Sequence, residues 1–270
     1  MMPADGSAKL ADAARRFLGM HHAEEPLILP NAWDVASALA VQRAGAAAIA
    51  TTSSGVAASL GYPDGEAIGQ AQMLAAVGRI AAAVDLPVTA DMEGGYGLDA
   101  TDLVEGVLRA SAVGLNLEDT DRSTDPVVLV AADRQAERIA AVRRAAAAAG
   151  VQLVINARID VFLRGDRSHA ERVDEAMRRG RAYAAAGADC VYPISLREAD
   201  AIGRIVSEVD AAVNVLLRPG APSMDRLQQL GVRRISVGGA LAQHAMAGTE
   251  AIARRLLAGD GSSIQEPDNE

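Results

Sequence analysis

The feature that most constrains this chain is a repeated unit: a short apolar run, a polar connection, then a longer stretch that reads as helix. The runs fall at 27–29, 47–50, 88–91, 114–117, 153–157, 189–192, 213–217 and 235–237, with amphipathic or alanine-rich helices between them. Strands separated by helices pair in parallel, because the crossover helix returns the chain to the same end of the sheet. Eight such units close most economically into a (β/α)8 barrel, the TIM-barrel class of α/β fold. The expected organisation is one barrel domain over 1–258, with an extra helix at 9–19 before the first strand. A doubly wound open sheet is the rival. It calls for a glycine-rich phosphate turn after the first strand, where this chain carries Pro30, Asn31, Ala32 and Trp33. The polar segment 259–270 reads as a disordered tail.

Composition narrows the setting. Half of the residues are hydrophobic but only 3% are aromatic, so the core must be built from Ala, Val, Leu and Ile. A formal net charge of -9 argues against nucleic acid or an anionic membrane as partner. No apolar run approaches the length of about 18 residues that a membrane span requires, and no basic start precedes an apolar core. These features predict a soluble, cytoplasmic protein. The single cysteine, Cys190, lies in the sixth run, where it packs in the core, and excludes an intramolecular disulfide.

In a (β/α)8 barrel the chemistry sits at the carboxyl ends of the strands. That rule gathers the Thr51, Thr52, Ser53, Ser54, Gly55 cluster after the second run, suited to gripping an oxyanion, and Asp91 and Glu93 after the third. Glu118 and Asp119 follow the fourth, and Arg158 and Asp160 the fifth. Three or four carboxylates in one cup repel unless a cation sits among them, and hard oxygen ligands beside the turn Gly94, Gly95, Gly97 suit a divalent metal such as Mg²⁺. Arg158 suits bidentate capture of a substrate carboxylate, with pairing to Glu118 or Asp160 as the other reading. Arg218, at the end of the seventh run, is placed for a distal carboxylate or a salt bridge. Asp34 reads as a helix N-cap, Tyr96 as a hydroxyl for the cup or a cover for its turn. His21 and His22 read as surface residues, His169 as an exposed loop histidine or a proton shuttle, and Arg122 as a surface residue or an anion clamp on its loop.

The set T-T-S-S-G at 51–55, G-Y-P-D at 61–64, D-M-E-G-G-Y-G at 91–97, N-L-E-D at 116–119 and N-A-R-I-D at 156–160 resembles the isocitrate lyase and phosphoenolpyruvate mutase superfamily, in order and over nearly the whole barrel. The resemblance implies a Mg²⁺-dependent enzyme, with Mn²⁺ as a substitute, acting on small 2-oxo or 2-hydroxy carboxylates. It implies a metal near Asp91, Glu93 and Glu118 with Asp64 in the surrounding shell, and a substrate held by Ser53, Ser54, Gly55 and Arg158. It also implies homodimers or homotetramers that exchange C-terminal helices. A chelated 2-oxo acid cleaved beside its carbonyl leaves an enolate that the metal stabilises. Retro-aldol cleavage or decarboxylation of a di- or tricarboxylate is therefore expected. A phosphonate mutase or hydrolase is the alternative, and a barrel that only binds a 2-oxo acid is the reading from another class. Two departures matter. The segment T-D-R-S-T-D-P-V-V-L-V at 120–130 lacks the cysteine of the lyases in this superfamily and the lysine and asparagine of its mutases, and Glu93 stands where aspartate is usual.

Overall fold

The computed structural model describes residues 4–164 and 167–265. Helix α1 (Ala4–Met20) leads into β1 (Leu27–Leu29), β2 (Asn31–Ala32), α2 (Val35–Arg43), β3 (Ile49–Thr51), α3 (Ser53–Ser59), α4 (Gln70–Ala83) and β4 (Val88–Asp91). The middle of the chain forms α5 (Ala100–Arg109), β5 (Gly114–Glu118), β6 (Thr120–Asp121), β7 (Val128–Leu129), α6 (Ala132–Ala148) and β8 (Val154–Ile159). Then follow α7 (His169–Ala185), β9 (Cys190–Pro193), α8 (Ala199–Glu208), β10 (Ala212–Leu216), α9 (Met224–Gln229), β11 (Arg234–Ser236), α10 (Ala240–Leu257) and α11 (Ser262–Gln265).

All pairings in the main sheet are parallel, and the order β1-β11-β10-β9-β8-β5-β4-β3-β2 is that of a (β/α)8 barrel whose first strand is shared between β1 and β2. Pro30 explains the split. It has no N–H to give a ladder, and around it the strand changes partner, from Leu27–Leu29 against Arg234–Ser236 to Asn31–Ala32 against Ala50–Thr51. Asn31 fastens this seam: its Nδ2 donates to the Thr51 carbonyl at 2.9 Å, and its Oδ1 accepts from the Val237 and Gly238 amides at 2.9 and 2.8 Å.

The core lies between barrel and helices. Leu103, Val104, Val107 and Leu108 bury one stripe of α5, and Ile202 and Ile205 do the same for α8. Asp34 caps α2 as expected, accepting from the Ser37 amide at 2.7 Å. Cys190 is fully buried in β9, its thiol pushed up to about 12 by burial. Inside the cylinder the side chains are more polar than the sequence pattern implied: Thr89, Asn156, Asn214 and Arg234 are all buried. At the amino-terminal end α1 closes the barrel. Phe17 packs so close to Gly114 that a Cβ there would stand 2.9 Å from the Phe17 ring.

Several expectations need correction. His21 is buried at 1% exposure, not a surface residue, because the end of α1 turns it under the barrel; His22 is exposed. The hydroxyl cluster after β3 is the start of a helix, α3, and the segment 120–130 folds as an antiparallel hairpin of β6 and β7. Within the polar tail, Ser262–Gln265 form α11, with the Asp260 carboxylate accepting from the Ser262 amide and hydroxyl at 3.0 and 2.7 Å; residues 266–270 lie outside the described residues. No helix among the described residues is long and apolar enough to cross a membrane.

His21 supplies a test of this packing. Its Nδ1 lies 2.9 Å from the Phe17 carbonyl, and so carries the proton and donates it; Nε2 is left to face Arg234 Nη1 at 3.4 Å. Burial, then the Arg234 charge, lower its pKa from 6.5 to about 3. Because the folded value is depressed, the stability linked to the neutral ring is present above pH 6.5 and is lost toward pH 3, at about 1.4 kcal/mol per pH unit while the unfolded ring is protonated. Denaturant melts from pH 7 to 4 should show that slope in the native chain and its loss in His21→Gln. Parallel slopes for the two proteins would mean that His21 is not held neutral.

Candidate active site

At the carboxyl ends of the strands, Asp91 is 8% exposed and its carboxylate is aimed by backbone. Oδ2 accepts the Ser53 amide at 2.9 Å, the Asp91 amide donates to Thr51 Oγ1 at 2.9 Å, and Asn116 Nδ2 approaches Oδ1 at 3.5 Å. Ser53 Oγ donates to Asp64 Oδ1 at 3.2 Å, which draws the loop after α3 toward the same point. Ser54 Oγ lies 3.0 Å from Thr52 Oγ1. Gly55 is required by space: a Cβ there would come within 2.8 Å of both Trp33 Cβ and Thr52 Cγ2.

Beside Asp91 lies a buried acid cluster. Glu93, at φ 47, accepts from Tyr96 Oη at 2.8 Å and from the Glu66 amide at 2.8 Å, so Tyr96 does reach the cup. Glu66 and Tyr96 also take positive φ, and Glu66 Oε1 accepts the Tyr96 amide at 2.7 Å; three left-handed non-glycine residues are thus concentrated in two touching loops. Glu118 sits between two guanidinium groups: Arg122 Nη2 is 2.7 Å from Oε1, and Arg158 Nη2 contacts Oε2. Arg158 is also gripped by Asp160, with Nε to Oδ1 at 2.7 Å and Nη2 to Oδ2 at 2.8 Å. Both pairings weighed for Arg158 from sequence are therefore present. Burial pushes Glu93 up to about 7 and Glu118 up to about 8, against the pull of Tyr96 on the first and of Arg158 on the second.

Arg122 is the main correction. Its side chain is 18% exposed and points inward from the β6–β7 hairpin, 3.6 Å from Glu93 as well as on Glu118. Gly65 leaves it room, since a Cβ there would stand 2.9 Å from Arg122 Nη1. Asp119 and Asp160 serve the frame. Asp119 Oδ1 accepts the Asp160 amide at 2.8 Å, and its Oδ2 accepts from Arg179 Nη1 at 2.8 Å and Tyr183 Oη at 2.7 Å. Arg179 and Tyr183, one turn apart on α7, were missed from sequence, although their i, i+4 spacing on a helix that otherwise packs apolar residues was a signal. His169 is exposed, as expected, and lies 3.6 Å from Glu198.

Ser53, Ser54, Asp64, Asp91, Arg158 and Arg218 line one cavity of about 700 Å³. Gly55, Glu93 and Glu118 do not reach its wall; the first packs on Trp33, and Arg122 contacts the other two. Among the described residues no three acidic, histidine or cysteine side chains converge closely enough to cage a metal ion directly. The donors are nevertheless all oxygen, and Asp91 and Asp64 stand on one cavity wall, joined through the amide and hydroxyl of Ser53. That combination fits a divalent cation that keeps most of its water.

A family model, phosphoenolpyruvate phosphomutase, matches residues 17–257. The chain belongs to this family. A candidate phosphonomutase from Burkholderia cenocepacia J2315 superimposes with a TM-score of 0.85 at 39% identity, covering 91% of this chain and 99% of that one. The 2-methylisocitrate lyase of Bacillus subtilis (strain 168) is 30% identical over 193 residues, 69% of this chain and 61% of that enzyme. The fold alone is shared with a phosphonopyruvate hydrolase crystallised with oxalate and Mg²⁺, at a TM-score of 0.81 and 22% identity, over 95% of this chain and 92% of that one. Within the phosphoenolpyruvate phosphomutase family, what this barrel puts over its acid cluster is a short hairpin carrying Arg122.

The Asp119 network predicts a stability effect. Arg179→Met would leave a fully buried carboxylate with only the Tyr183 hydroxyl and the Asp160 amide as donors and no cation, and removing one partner of a buried pair costs about 3–5 kcal/mol. Urea denaturation should show that loss, and adding Asp119→Asn should recover part of it. A loss under about 1 kcal/mol would mean that the pair does not hold β5 against α7.

Proposed function

We propose that the protein is a Mg²⁺-dependent lyase that cleaves a carbon–carbon bond, by retro-aldol cleavage or decarboxylation, in a small 2-oxo or 2-hydroxy di- or tricarboxylate in the cytoplasm. The observation that carries this reading is Asp91: a carboxylate fixed by the Ser53 amide and opening, with Arg158, onto the cavity. Bound there, Mg²⁺ (or Mn²⁺) would polarise the substrate carbonyl and offset the charge of the departing enolate. Asp91 and Asp64, the carboxylates on the cavity wall, would hold it, while Glu93 and Glu118 stand back from the wall on Arg122. Arg158, braced by Asp160 and Glu118, would anchor a substrate carboxylate, and Ser54 would steady the oxo group.

Turnover of isocitrate, methylisocitrate, oxaloacetate and phosphonopyruvate, with Mg²⁺ or EDTA, separates the chemistries. A Mg²⁺-dependent 2-oxo acid product from one of the first three supports the lyase. Cleavage of phosphonopyruvate alone replaces it with the phosphonate reading, and Mg²⁺-dependent binding without turnover replaces it with a binding protein. Asp91→Ala should abolish the Mg²⁺-dependent reaction while the melting temperature stays within a few degrees of native; retained full turnover would remove Asp91 from the metal site.

The same reading includes a homodimer or homotetramer. None of the α10 residues is buried, and Leu241, Met246, Ile252, Leu256 and Leu257 are exposed along it, apolar surface of the kind that a neighbouring subunit covers. Light scattering on the purified protein should give two or four chains; a monomer would exclude helix exchange.

A further inference from the structure

Arg234 crosses the lumen of the barrel. It lies on β11, four places from β5 in the sheet order and so on the far side of the cylinder, yet its Nη2 donates to Asn116 Oδ1 at 3.1 Å. The residue is 1% exposed, and a charge brought to that depth is costly unless an opposite charge answers it. Among the described residues its hydrogen-bond partners are neutral: besides Asn116 it faces His21 Nε2 at 3.4 Å, and its Nε is buried with no acceptor. Burial lowers its proton affinity, and the groups that oppose burial are Cys190, Tyr192 and Asp91. Burial also pushes the Cys190 thiol and the Tyr192 hydroxyl up to about 12 each, which leaves the Asp91 carboxylate as the one anion of the three. Asn116 stands between that anion and the cation. Its Oδ1 accepts from Arg234 and, at 2.7 Å, from Asn156 Nδ2, and its Nδ2 faces Asp91 Oδ1 at 3.5 Å. A side-chain amide can turn either end to a neighbour, and Asn156 has the same freedom, but a guanidinium carries donors only. Arg234 therefore settles which way Asn116 points, with its oxygen toward the lumen and its NH2 toward Asp91. The other Asp91 oxygen takes the Ser53 amide at 2.9 Å, so the carboxylate is directed by backbone on one side and by this chain of side chains on the other.

We propose that Arg234 is a positioning residue for the cation site: acting through Asn116, it holds the Asp91 carboxylate in the orientation that receives a divalent ion. This rests on the function proposed above and gives the lumen of the barrel, as well as the loops at its mouth, a share in it. Packing alone does not call for arginine at 234, where methionine would bring no charge to bury.

Mn²⁺ binding to the substrate-free protein tests it, read from the electron paramagnetic resonance signal of the free ion. Arg234→Met, shown to be folded by circular dichroism, should bind Mn²⁺ at least fivefold more weakly than native protein, and so should Asn116→Leu. The Arg234→Met/Asn116→Leu double variant should stay within twofold of the weaker single variant, since the second change cuts a chain already cut. Arg234→Lys, again a cation with donors only, should bind more tightly than Arg234→Met. A purely structural Arg234 would lower the melting temperature of Arg234→Met and change the affinity of the folded protein less than fivefold, which overturns the proposal. A double variant in which the two losses multiply overturns it as well. Where Arg234→Met does not fold, Asn116→Leu still decides, because native affinity in that variant breaks the chain at its second link. Each of these failures leaves the proposed function standing. If native protein binds Mn²⁺ neither alone nor with oxalate, the proposed function fails and takes the role of Arg234 with it.

Discussion

The active end of this barrel depends on a single buried carboxylate held between two arginines. Glu118 is 1% exposed, and bringing an ionised carboxylate to that depth costs several kcal/mol unless charge is placed against it. Arg158, from the neighbouring strand, and Arg122, from the hairpin that follows Glu118 itself, supply that charge. Each arginine then fixes something further. Asp160 completes a fork on Arg158, so the guanidinium is oriented toward the cavity before any ligand arrives. Arg122 reaches on to Glu93, so the hairpin, the β4 loop and β5 are tied through one side chain. Without Glu118 two cations would face each other across the mouth of the barrel.

The next residue does the opposite work. Successive side chains of a strand point to opposite faces, and while Glu118 faces the cup, Asp119 turns outward to Arg179 and Tyr183 on α7. Its other oxygen takes the Asp160 amide. The adjacent pair of acids thus serves two systems, one electrostatic and open to ligand, one sealed and structural. Thr120 continues the pattern, its hydroxyl donating to Asp160 Oδ2 at 2.6 Å.

How far the sequence was legible follows from the range of each interaction. The alternation of apolar runs and helices is local, and it placed all eight barrel strands and the acids at their ends. The switch of partner at Pro30 is not local: it depends on β11 and β3, some 200 and 20 residues away, reaching the same seam from opposite sides. His21 looked like a surface residue because nothing nearby in sequence shows that α1 seals the barrel beneath Arg234. Arg122 was misjudged for a related reason. In a polar, charged segment an arginine reads as solvated, and only the hairpin's return over Gly65 turns it inward. Arg158 allowed two readings from sequence; the fold shows the pairing with Glu118 and Asp160, and the cavity that Arg158 also lines is what the reading as a carboxylate anchor rests on.

The hairpin also limits what the proposed reaction can ask of it. A cysteine or lysine over the cup could exchange a proton near neutral pH, whereas a guanidinium does not. For Arg122 burial opposes the charge, but Glu118 and Glu93 outweigh it and hold its pKa above the ordinary arginine value. The hairpin therefore contributes fixed positive charge to the mouth of the cavity and no acid. If an enolate forms below it, its proton must come from water or from another residue on the wall. That requirement favours reactions in which solvent can reach the new carbanion after the first product leaves, and it disfavours those that need immediate protonation by a closed loop.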